Sequence, residues 1–158
     1  STRDSLLADA GSRCGSSVAR LIESFLDDAE ARGLRCVWGR GVSESVGIWG
    51  PVHGTDTRLW MIQMGSSSPG DPARLEIHFG KVLTALDGAD DGRLQQTAHL
   101  LETIPPMRAK TLDTRAKGWK GWAQFPLDSL LGTGDVRSRI LAALHELEDS
   151  ADSADSVD

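Results

Sequence analysis

Hydrophobic and polar positions change period several times along this chain, and each change marks an element. From Ser16 to Arg32, Val18, Leu21, Ile22, Phe25, Leu26 and Ala29 recur at i, i+3, i+4 and i+7, the stripe of an amphipathic helix. Ser16 or Ser17 can cap its start, and Gly33 stands where a glycine would end it. Leu34–Trp38 and Ser45–Gly50 then read as short strands, separated by Gly39-Arg40-Gly41, with Pro51 closing the second. His53-Gly54-Thr55-Asp56 predicts a turn. The run Leu59–Met64 is apolar on both faces, as in a strand at the middle of a sheet. Arg74–Phe79 alternates instead: Leu75, Ile77 and Phe79 share one face, and Arg74, Glu76 and His78 the other. The Gly-, Ser- and Pro-rich stretch Gly65–Pro72 makes these two runs an antiparallel hairpin.

After Lys81 the period becomes helical. Val82–Leu86 predicts a first turn, Asp87–Gly92 a polar break, and Arg93–Ile104 a helix that Pro105-Pro106 ends. Trp122–Leu127 predicts an edge strand, since Pro126 cannot donate to a ladder. Asp135 is the expected N-cap of a last helix, Val136–Leu147, burying Val136, Ile140, Ala143, Leu144 and Leu147. The order is α-β-β-β-β-α-β-α. That is an α+β fold: an antiparallel sheet of about four to five strands, packed by an N-terminal helix and two C-terminal helices. Residues 1–15 are expected as a flexible lead-in, 16–149 as a single domain, and 150–158 as a disordered acidic tail.

Composition sets the class. A chain of 158 residues with 39% hydrophobic and 25% charged residues suits one globular domain. No apolar run approaches the ~20 residues of a membrane span, and the first residues lack the pattern of a signal peptide. The start at Ser1 rather than Met suggests a processed or excised chain with neighbouring domains outside it. Cys14 and Cys36 read as two free thiols in a reducing cytoplasm. No metal- or cofactor-binding motif stands out, so no cofactor is expected. The net charge of −6 belongs to Glu146, Glu148, Asp149, Asp152, Asp155 and Asp158, and the body without them is neutral. The acidity therefore does not exclude a polyanionic partner.

Three stretches could carry chemistry. In the first, Arg108, Lys110, Arg115, Lys117 and Lys120 face one acid, Asp113, with Trp119, Trp122 and glycines interleaved. Cations neutralise phosphates and indoles stack on bases, so this mixture points to nucleic acid. The competing reading is a solvated loop whose tryptophans close the core. In the second, Asp56, Glu76 and His78 could hold a divalent metal and orient a water, as in many nucleases. There the order of elements resembles the restriction-endonuclease core, although that family has Glu-x-Lys where this chain has Glu76-x-His78. A cross-strand charge set facing solvent is the plainer reading. In the third, Trp49 and His53 could line a pocket for a flat ligand such as a base.

The blocks AEARGLRCVWG, RLWMIQMG, ARLEIHFGKV, a helix ending in ETIPP, and WAQFPLDSL before a closing helix cover most of the chain. Their order resembles a poorly characterised bacterial module found as an accessory domain of nuclease and restriction-type defence proteins. The resemblance implies a DNA-linked function and fixes no residue roles. The leading expectation is a non-catalytic nucleic-acid-binding module, with DNA as the partner. Arg108, Lys110, Arg115, Lys117 and Lys120 would contact phosphate, and Trp119 and Trp49 would stack. A divergent nuclease using Asp56, Glu76 and His78, or a chaperone-like protein-interaction module, are the alternatives.

Overall fold

The computed structural model describes residues 1–66 and 68–150. It is α+β, with one five-stranded antiparallel sheet and six α-helices among the described residues. In chain order these are α1 (Arg3–Cys14), α2 (Ser16–Ala31), β1 (Arg35–Trp38), β2 (Ser45–Val52), β3 (Thr55–Gln63) and β4 (Arg74–Ile77). Then come α3 (Phe79–Leu86), α4 (Gly92–Glu102), α5 (Pro105–Ala116), β5 (Ala123–Pro126), a short 3-10 turn (Leu127–Leu130) and α6 (Gly134–His145). The strands lie side by side in sequence order, so the sheet is a meander whose last step is made by three helices.

One sheet face carries the core. Val46, Ile48, Trp60, Ile62, Leu75, Ile77, Ala123 and Phe125 are buried on it, in register from β2 to β5. Helix α2 covers this face, and Phe25 meets Trp60 edge to face at 6.1 Å. Helices α4 and α6 pack together, with the Thr97 hydroxyl donating to the Ala143 carbonyl at 2.9 Å. The turn between β2 and β3 is His53-Gly54, both with positive φ (49° and 74°). That is the two-residue turn whose twist matches a hairpin.

Several expectations need correction. The lead-in is a helix: Thr2 caps it reciprocally with Ser5, and Leu6 and Ala10 are fully buried. These two apolar positions, one helical turn apart, dock it on the core, and Arg3 ties it to Asp27 and Glu30 of α2. Pro51 does not end β2, which runs on to Val52 opposite Thr55. β1 pairs only as far as Trp49, so Pro51 lies where no ladder donor is required on that side. Pro105 and Pro106 start a helix as well as stopping one. They occupy the first two positions of α5, where the missing N–H groups cost nothing. Residues 108–116 of the basic stretch therefore lie in helix α5 rather than in a loop. Thr133, not Asp135, is the N-cap residue of α6.

The acidic run also begins inside the fold. Glu148 is buried against Arg32, whose Nε donates at 2.8 Å. Asp149 accepts from the His53 and Gly54 amides at 2.9 and 3.0 Å and pairs with Arg93 at 3.0 Å. Apart from Ser150, the tail expected over 150–158 lies outside the described residues.

Candidate functional site

The other sheet face is only partly covered. Arg35, Val37 and Trp122 on it are exposed, and Ser45, Trp49, Arg58, Met61, Gln63, Arg74 and Gln124 are half-buried. Strand register arranges these residues in rows. Arg35 lies opposite Trp49, and Trp49 opposite Arg58. The Arg58 Nε donates to His78 Nδ1 at 3.0 Å, and the His78 ring lies 6.3 Å from the Trp122 ring. The row Arg35–Trp49–Arg58–His78–Trp122 thus runs from β1 through β2 and β3 to the residues just after β4 and just before β5, with an indole on either side of the Arg58–His78 pair.

A β-bulge makes this row possible. Ile48 pairs with Trp60 and Trp49 with Arg58, so Leu59 is an extra residue on β3. Without it, strict alternation would put Leu59 on the open face and Arg58 toward the core. With it, Leu59 is fully buried and Arg58 comes up beside Trp49. Two glycines on β2 accommodate the change. A Cβ on Gly50 would come within 2.8 Å of Leu34 Cδ2 and 3.0 Å of Leu59 Cδ1. A Cβ on Gly47 would come within 3.2 Å of Arg58 Cδ and 3.4 Å of Trp49 Nε1. Gly47 is the floor on which the arginine stem and the indole rest.

Hydrogen bonds lock the middle of the row. A guanidinium only donates, so His78 Nδ1 must accept from Arg58, and the ring proton sits on Nε2. That nitrogen faces Glu76 Oε1 at 3.3 Å. The other Glu76 oxygen accepts from Arg74 Nε at 2.8 Å, and Arg74 Nη1 reaches Asp71 at 2.6 Å. Glu76 and His78 are 7% and 4% exposed, so this chain is a buried polar relay under an open surface. The bond from His78, and then Arg74, hold the Glu76 carboxyl below its usual range despite burial. Asp71, Arg74, Lys110, Gln124 and Pro126 line a cavity of about 330 Å³ at one corner of the face.

Trp49 lies on this face, with the Arg35 guanidinium 5.2 Å above its ring. Lys110 borders it, and Lys120 is exposed two residues before Trp122. The remaining cations of the basic stretch have local partners. Arg108 donates to the Glu102 carbonyl, Arg115 pairs with Glu102 at 2.9 Å, and Lys117 pairs with Asp113 at 2.9 Å.

Trp119 is a correction. It is 4% exposed, stacks on Phe79 at 5.4 Å, and donates through Nε1 to Asp91 at 2.9 Å. It holds φ at 67°, unusual for a bulky residue, and offers no face for a base. Trp122, 56% exposed, is the open indole of this stretch. The two indoles point opposite ways because the loop between them is pinned to α3: Gly80 N donates to Gly121 O at 2.7 Å. A Cβ on Gly80 would meet Gly121 N at 2.7 Å.

The metal set Asp56, Glu76 and His78 is not assembled. Asp56 pairs with Arg35, opposite Pro51. Glu76 lies opposite Met61, on the order of 15 Å further along the sheet. No cluster of three or more His, Cys, Asp or Glu side chains suited to a metal occurs among the described residues. His53 lies at the β2–β3 turn and is exposed. Among the described residues no helix is long and apolar enough to cross a membrane.

Arg35, Arg58 and Trp122 escaped the sequence reading as site residues. Arg58 was hidden by the bulge, which reverses the side-chain parity. For Trp122 a signal existed: it precedes an edge strand antiparallel to β4, one step before the pair Ala123–Ile77. No family model matches the chain, and no curated protein or solved structure matches it.

Proposed function

We propose that this chain is a nucleic-acid-binding module that works through the open sheet face. One observation carries the reading: the row Arg35–Trp49–Arg58–His78–Trp122, which sets an exposed indole, Trp122, and a half-buried one, Trp49, among guanidinium groups on the sheet. Indoles stack on any base, and arginines neutralise phosphate and stack on bases themselves. Charge at the rim favours a polyanion. On the face itself Arg35, Arg58 and Arg74 stand against Asp56, Asp71 and Glu76, and no ion pair of Arg58 occurs among the described residues. Lys110 and Lys120 add positive charge at the rim.

DNA is the proposed partner. The order of sequence blocks supports a place as an accessory module of a bacterial restriction-type defence protein. A cytoplasmic location belongs to the same proposal, and both cysteines are free thiols. The role is binding rather than catalysis. Fluorescence anisotropy with labelled DNA at two salt concentrations tests the reading. Affinity should fall steeply with salt, and the Arg35→Glu variant should bind more weakly. Salt-independent binding, or none, would remove the assignment.

A further inference from the structure

We infer that the face takes a single strand with unpaired, splayed bases, and that duplex is a poor ligand. This rests on the nucleic-acid reading above and specifies its substrate. Trp49 is on β2, while Trp122 sits beside His78 at the start of β5. Three inter-strand steps separate them, about 14 Å at ~4.8 Å each. Bases stacked in one strand of a duplex lie ~3.4 Å apart. Neighbouring stacked bases therefore cannot occupy both indoles. A duplex also presents base edges in its grooves and hides the base faces that an indole needs. A strand that fills both platforms must be unpaired and unstacked, running across the β-strands.

The groups between the indoles fit what lies between two such bases. Arg58 has its Nε tied to His78, which fixes the guanidinium plane, and no hydrogen bond among the described residues uses its Nη1 or Nη2. Those two nitrogens face the phosphate of the intervening nucleotide. His78 is the positioning residue: held by Glu76 in the tautomer that accepts at Nδ1, it keeps Arg58 beside Trp49. Arg35 closes the far end of the row, where its guanidinium lies over the Trp49 ring, so that a base on that side stacks on the guanidinium plane with the indole behind it.

A competition assay tests this directly. A labelled single-stranded oligothymidylate is bound to the full chain and displaced by unlabelled oligonucleotide, single-stranded or as a duplex of mixed sequence. The single strand should displace the probe at least tenfold more effectively. Trp122→Ala, exposed and so compatible with the fold, should weaken single-strand binding about five- to hundredfold. Arg58→Lys should retain more affinity than Arg58→Gln, and Arg58→Gln should lower the slope of log K against log salt by about one. Equal displacement by duplex, or full affinity in Trp122→Ala, would overturn the single-strand inference and leave nucleic-acid binding standing. Failure of both nucleic acids to bind would overturn the inference together with the reading beneath it.

Discussion

Arg58 Nε donates to His78 Nδ1 at 3.0 Å, although the two residues are 20 positions apart, one on β3 and the other between β4 and α3. This bond joins the bulged strand β3 to the relay through Glu76 and Arg74, and so couples the buried polar groups to the open surface. Removing any member leaves a buried donor or acceptor without its partner, which costs about 1–3 kcal/mol.

The relay gives a pH dependence with a definite sign. Glu76 is held below its unfolded value by His78 and Arg74. Such a carboxylate stabilises the fold above its unfolded pKa, ~4.3, and that contribution is lost as pH falls through the lower folded value. Glu148 acts in the opposite sense, because burial raises it despite Arg32, and it favours the fold less as pH rises. Comparing the chain with Glu76→Gln isolates the Glu76 part. Thermal melting should separate the two most above about pH 5, with the gap closing as the pH falls further.

Trp119 and Trp122 should respond in opposite ways. Trp119→Ala removes a buried ring stacked on Phe79 and a hydrogen bond to Asp91, and chemical denaturation should show a loss of about 3–5 kcal/mol. Trp122→Ala should leave stability within about 0.5 kcal/mol, as for other exposed positions.

The bulge depends on Gly50. Gly50→Ala would drive a methyl against Leu34 and Leu59, an overpacking worth about 1–3 kcal/mol. Gly50→Ala should also weaken oligonucleotide binding, because displacing Leu59 shifts Arg58. Gly47→Val, by contrast, should disturb Arg58 and Trp49 from the open side, with a larger effect on binding than on melting.

The C-terminal acids fall into two groups. Removing residues 151–158 should tighten binding to DNA, since it deletes Asp152, Asp155 and Asp158. Cutting after Leu147 instead also removes Glu148 and Asp149, and with them the tie to Arg32, the cap on the β2–β3 turn and the pair with Arg93. That shorter chain should melt at a lower temperature, read by circular dichroism.

Much of this architecture was legible in the sequence. The stripe Val18–Ala29 gave α2, and the alternation of Arg74 and Glu76 placed those two on the open face where they stand, although the strand ends at Ile77, before His78 and Phe79, which start α3. Elements whose cue is local and periodic could be read in this way. What escaped depends on long-range geometry. A single extra residue on β3 reverses the faces of Arg58 and Leu59, and no local pattern announces it. The fates of Trp119 and Trp122 depend on Gly80 meeting Gly121, a contact between segments about 40 residues apart. The cations around Trp119 looked like one cluster in sequence. Helix α5 disperses them, pairing Arg115 and Lys117 with acids and leaving Lys110 at the sheet rim.

The most direct test of the open face as the binding site uses the five indole N–H resonances of a nitrogen-15-labelled sample. On titration with a single-stranded oligonucleotide, the Trp49 and Trp122 signals should move together with the bound fraction. Those of the buried Trp60 and Trp119 should hold their positions, Trp119 being fixed by its bond to Asp91. Movement confined to Trp60 or Trp119, or saturating oligonucleotide that leaves Trp49 and Trp122 unshifted, would contradict the account.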